Sequence, residues 1–382
     1  INRGRLPFRR RARTGGGIWA RLAGVVAARP AASLVASLCV LGSLAVPAVD
    51  LHLGDSTAAD LPDDVPAVAA LRHIEASFPG APADAQVVVE GDRLGSDVGR
   101  ARLERLGERA LGVTGGSGAP VVRVADDGGM ALVSVPMPEM GRDDATATVD
   151  ALRSEVGGER AAGTVLIGGD AADSADFTDA IRDAMPIVVG IVLGLAFVLL
   201  VAAFGSPWLA LAVIALNLLS VGAAYGVLTA VFQHGWGESL LGFTSNGTIV
   251  TWVPLFAFVI LFGLSMDYTV LVLERIREAR RAGLTPREAV REGVAATAGA
   301  VTSAAVVMVA VFSLFAMLRL PEMKQLGVGL GAAILIDATI VRGVALPALV
   351  TLLGERRWRV RPMRGRRAII GRGGDARLRT DP

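Results

Sequence analysis

Phe262-Gly263-Leu264-Ser265-Met266-Asp267-Tyr268-Thr269-Val270-Leu271-Val272-Leu273-Glu274-Arg275-Ile276-Arg277-Glu278 places a carboxylic acid inside a run otherwise suited to lipid. Upstream, Thr248 to Met266 carries no charge, and Thr269 to Leu273 completes a membrane span. Asp267 therefore falls in the cytoplasmic half of that span, still within hydrocarbon. An ionised Asp near the middle of a bilayer costs about 2.5–3.5 kcal/mol on insertion scales. A residue that expensive marks a candidate ion or proton path, and the surrounding sequence is read outward from it.

The 382-residue chain is 52% hydrophobic, too apolar for a soluble protein of this length, and only 5% aromatic. Ala, Val, Leu and Gly dominate, which suits close packing of helices in lipid. Charge is strongly segregated. Residues 1–30 hold eight Arg and no acid, residues 50–183 carry a net charge of −14, and residues 354–382 carry +7. Basic ends on one side of a membrane and an acidic domain on the other is the positive-inside pattern. The basic residues are tails rather than a folded face, which argues against nucleic acid as a partner. Cys39 stands alone, so no internal disulfide is possible, and His52, His73 and His234 share no metal-ligand spacing. No cofactor, metal site or catalytic constellation is implied, and the chain does not read as an enzyme.

Six apolar stretches predict six transmembrane helices, at about 30–49, 184–203, 208–232, 248–273, 295–318 and 326–353. Residues 1–29 read as a basic cytoplasmic linker and 354–382 as a basic cytoplasmic tail. The first stretch, with small residues around Ala45-Val46-Pro47-Ala48, also fits a cleaved signal peptide. A retained span is preferred, because about 19 apolar residues can cross and the later spans need it for topology. Between the first two spans, residues 50–183 alternate as helix, strand, helix, two strands around Asp126-Asp127-Gly128-Gly129, helix and strand. The order β-α-β-β-α-β within it is that of a ferredoxin-like unit. Residues 274–292 form a charged elbow, in which Thr285-Pro286-Arg287-Glu288 carries the signature of a capping box. The fold class is thus a polytopic α-helical membrane protein with an inserted α+β ferredoxin-like extracytoplasmic domain. Six spans return both ends to the basic, cytoplasmic side of the membrane. The chain starts at Ile1, and Asn2 to Arg29 reads as a linker, so a longer polypeptide is expected.

Phe262 to Tyr268, Arg275-Ile276-Arg277-Glu278, and Lys324-Gln325-Leu326-Gly327-Val328-Gly329-Leu330 resemble the MMPL family (mycobacterial membrane protein large). So do Asp337-Ala338-Thr339-Ile340-Val341-Arg342 and the segment from Pro347-Ala348-Leu349 to Leu353-Gly354-Glu355-Arg356. These motifs cover about 245–358; over 1–245 the likeness lies in layout. The resemblance implies the C-terminal half of a transporter of the resistance–nodulation–division superfamily, which exports lipids or other amphiphiles using the proton gradient. It implies that residues 50–183 are a porter domain, that Asp267 and Tyr268 are one side of a proton relay, and that an N-terminal half supplies the other. Leu271 departs from the family, whose members often have Phe there.

Other candidates weigh less. Asp337 and Arg342 are five residues apart, hence on different faces of an ordinary helix, and a packing role competes with a transport one. Thr302 and Ser303 stand as possible supporting residues, although hydroxyls in membrane helices commonly bond their own backbone. Gly327, Gly329 and Gly331 read as packing surfaces. Membrane lipids and an amphiphilic substrate are the expected partners, with oligomerisation open. A non-transporting scaffold or lipid sensor, or a protein-translocation auxiliary of the same superfamily, is the alternative.

Overall fold

The structure, a computed structural model, describes residues 18–54, 66–77, 85–138, 142–157 and 164–356; the remainder of the two basic tails lies outside the described residues. Among the described residues, six helices are long and apolar enough to cross a membrane, at Pro30–Asp50, Asp170–Phe204, Pro207–Gln233, Val253–Arg281, Pro286–Ala316 and Pro321–Gly354.

Between the first two spans lie α3 (Pro66–Ser77), β2 (Ala85–Glu90), α4 (Asp97–Thr114), β3 (Val121–Val124), β4 (Met130–Val135), α5 (Arg142–Glu155) and β5 (Thr164–Gly168). The four strands pair antiparallel in the order β3-β4-β2-β5. Alternation drives the sheet: Ala85, Val87 and Val89 of β2 are buried, while Gln86 and Glu90 are exposed, as period-two geometry requires. Val87 pairs with Val133 on one side and Ile167 on the other. Leu103, Leu106 and Ala110 of α4, with Leu152 and Val156, complete this core. Ser96 caps α4 by accepting from the Gly99 N–H at 3.1 Å.

The membrane helices are longer and less uniform than hydropathy suggests. Ahead of the first span, Ile18–Ala28 forms a helix, α1, which corrects the reading of all of 1–29 as linker. Its apolar side buries Ala23, Val26 and Ala27 against the bundle. The first span is α2 (Pro30–Ala45) followed by one 3-10 turn to Asp50. The second, α6 (Asp170–Phe204), runs 35 residues through Pro186. At 1.5 Å per residue that is about 52 Å, against about 30 Å of hydrocarbon, so its acidic start stands clear of the apolar slab. There Asp176 accepts from Arg153 of α5 at 2.6 Å. The third span is α7 (Pro207–Leu228) plus a π turn at Thr229–Gln233.

The fourth span, α9 (Val253–Arg281), starts five residues later than expected and runs on into the elbow. The chain reverses at Gly283, whose φ of 95° favours glycine. The fifth, α10 (Pro286–Ala316), begins at the expected capping box: Glu288 N–H donates to the Thr285 hydroxyl, and the Glu288 carboxylate accepts from Thr285 N–H at 3.0 Å. The sixth is broken into α11 (Pro321–Ile336), a π-helix at Asp337–Ala345 and α12 (Leu346–Arg356). This span and the third are mostly buried, whereas α6 turns Ile187, Ile191, Leu195 and Val198 outward.

The end of the bundle nearest the inserted domain is tied down. Strand β1 (Leu53–Gly54), just after the first span, pairs parallel with β6 (Ile249–Val250), just before the fourth. Gln325 of α11 accepts from the Val250 N–H at 2.9 Å. The buried Lys324 ammonium donates to the carbonyls of Leu241 and Gly242 at 2.7 and 2.6 Å.

Close crossings depend on single glycines. A Cβ on Gly226 of α7 would lie 1.8 Å from the Leu44 carbonyl oxygen of α2, and one on Gly327 would lie 2.3 Å from Ala316 N. Gly331 has nothing within 4 Å, so of the three packing glycines expected from sequence it is not at a contact. Gly226→Val is expected to cost at least about 1–3 kcal/mol by overpacking and to lower the thermal midpoint in detergent. Gly331→Ala should not destabilise, since removing glycine from a helix interior gains about 0.5–1 kcal/mol.

Candidate functional site

The centre of the bundle holds a polar cluster drawn from three spans. Asp337 and Arg342 are 7% and 6% exposed and form an ion pair, with the Arg342 Nη2 donating to Asp337 Oδ2. The expectation that they face apart is corrected here. In an α-helix five residues advance to positions about 140° apart. From Asp337 to Ala345 the helix is π, with bonds from i to i+5, so residues five apart stack. The wider turn brings acid and base together in one span.

The other carboxylate oxygen of Asp337 accepts from α9, and α7 bonds that donor in turn. Ser265 donates to Asp337 Oδ1 at 2.9 Å, and Asn217 Oδ1 lies 3.2 Å from the same hydroxyl. The guanidinium carbon of Arg342 sits 4.6 Å from the centre of the Tyr268 ring, a cation–π arrangement. A lone ion buried here would carry a penalty of several kcal/mol, and partners on both sides of the carboxylate offset it. A small cavity touches the cluster, lined among others by Asn217, Leu261, Ser265, Met308, Asp337 and Arg342.

Asp267 stands outside this cluster although it is adjacent in sequence to Tyr268. It is exposed and makes no hydrogen bond or ion pair among the described residues. It lies on a stripe of α9 with Phe256, Val259, Gly263 and Leu271, all exposed, at the spacing of one helix face. Tyr268, half-buried, is the link between that stripe and the buried pair. The other two candidates separate. Ser303 is exposed and donates to its own Ala300 carbonyl at 3.0 Å. Thr302 turns inward, its hydroxyl buried and without a partner among the described residues, beside Arg342 in a second cavity.

Sequence reasoning missed Asn217 and Ser265. The signal for Asn217 was a lone amide in an apolar span, and for Ser265 its place two residues before Asp267.

A buried charged pair inside a bundle of apolar helices defines a polytopic helical membrane protein with an intramembrane ionisable site. The chain belongs to the MMPL family, whose model matches residues 59–374. It is 35% identical over 349 residues to the mycolic acid-containing lipids exporter MmpL11 of Mycolicibacterium smegmatis, covering 89% of this chain and 36% of that protein. It is 36% identical over 358 residues to the heme uptake protein MmpL11 of Mycobacterium tuberculosis, covering 92% and 36%. It is 32% identical over 355 residues to the trehalose monomycolate exporter MmpL3 of Mycolicibacterium smegmatis, covering 90% and 34%. The chain thus spans about a third of the length of these relatives.

Because the pair is buried, removing one member strands the other. Asp337→Leu or Arg342→Met alone is expected to destabilise the protein by about 3–5 kcal/mol. The double variant should recover most of that loss. Thermal unfolding of all four forms in detergent completes the cycle.

Proposed function

We propose that this chain is half of a proton-driven exporter of lipids or other amphiphiles, a transporter of the resistance–nodulation–division superfamily rather than an enzyme. In this reading it resides in a bacterial plasma membrane with its Arg-rich ends in the cytoplasm. Residues 50–183 form a porter domain on the outer side. The β-α-β-β-α-β order of β2 to β5 and their sheet order support a ferredoxin-like topology for that domain. The exporter names of two relatives support an amphiphilic cargo, and the haem uptake name of a third leaves its chemistry broader than lipid.

The observation that carries the reading is the position of Asp267: an acid at membrane depth, on an exposed helix stripe, with no partner among the described residues. Facing lipid, the charged form is costly. A second body of protein covering that stripe, the N-terminal half of the same transporter, removes the cost and supplies groups that exchange a proton with Asp267. Asp337 is already compensated by Arg342 and Ser265, so Asp267 is the acid free to change its charge. Gain of a proton from the outer side neutralises it and favours one packing of the two halves. Loss to the inner side restores the charge and favours the other. Tyr268, stacked under Arg342, holds the fixed positive charge next to the titrating acid. The shift in packing reaches the porter domain through α6 and the β1–β6 pairing, and the amphiphile moves outward.

In the full-length protein at normal expression, Asp267→Asn is expected to reduce export to background while leaving the folded yield unchanged, because asparagine removes the titration and keeps the shape. Tyr268→Phe should retain export in part, since the ring remains. Gradient-dependent flux into reconstituted vesicles measures both. Export by the Asp267→Asn protein at the parental rate would refute the relay, and flux indifferent to the gradient would favour a scaffold or sensor.

A further inference from the structure

The Asp337–Arg342 pair stands between two cavities. The first lies toward Leu261 and Ile334; the second, with room for about one water molecule, lies on the other side of Arg342 toward the elbow. Trp19, Thr297, Val301, Thr302, Ala338 and Arg342 are among the residues that line the second. Trp19 belongs to α1, so a segment outside the six spans forms one wall of this space.

Two buried polar atoms on residues lining that space have no partner among the described residues: the Thr302 Oγ1 and the Arg342 Nε. Buried donors and acceptors in folded proteins are nearly always satisfied, by protein or by ordered water. The Thr297 hydroxyl, which also faces this region, is occupied, donating to the Gly293 carbonyl at 2.9 Å. A ligand here must accept from the guanidinium N–H and exchange a hydrogen bond with a hydroxyl, inside walls that are otherwise apolar. Water meets those demands, and a polar site with two or more partners retains it.

The position of Trp19 is specific. A Cβ on Gly343, the residue after Arg342, would lie 2.9 Å from Cζ3 of the indole and 3.5 Å from Leu22 Cδ2. The absence of a side chain at Gly343 lets the ring seat against the π-helix that carries the buried pair. Helix α1 is held there by Ala23, Val26 and Ala27. It joins α2 at Arg29, where Pro30 starts a new helix and the first turn of α2 has no side-chain cap.

We propose that the second cavity is a water-binding vestibule serving Arg342 and Thr302 from the side of the Arg-rich ends, and that Trp19 is its stopper. Water there solvates the Arg342 Nε and reaches the pair that backs the titrating acid; with the indole seated, the route is closed. This rests on the proton-relay reading for its purpose, but its test does not use transport.

In full-length protein with Cys39→Ala and any other cysteines removed, Thr302→Cys is exposed to a small water-soluble thiol reagent on the side of the Arg-rich ends. Labelling rate follows the fraction of molecules whose site is open, so Trp19→Ala should raise it by about tenfold or more. Trp19→Phe, which keeps a ring in place, should stay near the parental rate. Ser303→Cys, on the outward face of the same helix, should be unaffected by Trp19→Ala. Equal Thr302→Cys labelling with and without Trp19, or faster labelling from the opposite side, would overturn the vestibule. Labelling that changes as expected while Asp267→Asn still exports would leave the vestibule standing and remove the relay.

Discussion

A buried carboxylate and a buried guanidinium, paired within one helix, set the terms for the rest of this bundle. Each alone is intolerable in hydrocarbon, and an α-helix cannot bring residues 337 and 342 face to face. The π-helix at Asp337–Ala345 solves the geometry and accepts poorer helical hydrogen bonding in exchange for the ion pair. The sixth span is the most buried of the six, because it must be wrapped. Ser265 and Asn217 are recruited from the fourth and third spans to finish the hydrogen bonds, and Tyr268 covers the cation with its ring.

This packing leaves Asp267 of the fourth span in a different electrostatic situation from Asp337 of the sixth. One acid is compensated; the other is presented on a stripe that the described residues do not cover. Two carboxylates in similar surroundings would compete for the same proton, whereas these are separated by their partners. The ties at the other end join the sixth span to the inserted domain. Gln325, which bonds β6, lies on the same span as Asp337, and β6 pairs with the strand that opens the outer domain.

Most of the fold was legible because lipid and water impose simple patterns. The six apolar runs, the acidic domain between the first two, the hairpin at Asp126 to Gly129 and the capping box at Thr285 each follow from local chemistry. What escaped was whatever depends on tertiary packing. Helix α1 is short and lies beside an Arg-rich segment, so its buried side shows only once α10 and α12 are in place. The meeting of Asp337 with Arg342 was illegible because 3.6-residue periodicity was assumed, and no residue type signals a π turn. Among the site residues, Asp267 was evident from its cost in lipid. Its outward aim and the inward aim of Thr302 against Ser303 required knowing which faces the neighbouring helices cover.

The central claim is that Asp267, and not Asp337, changes protonation as the protein works. Infrared difference spectroscopy on the full-length protein in proteoliposomes reads this directly, through the carbonyl stretch of a protonated carboxyl group. Imposing and collapsing a proton gradient should produce a reversible band that vanishes in Asp267→Asn and survives in the double variant Asp337→Leu, Arg342→Met. A band that persists in Asp267→Asn, or that is absent from the parent under a gradient that drives flux, would contradict the account.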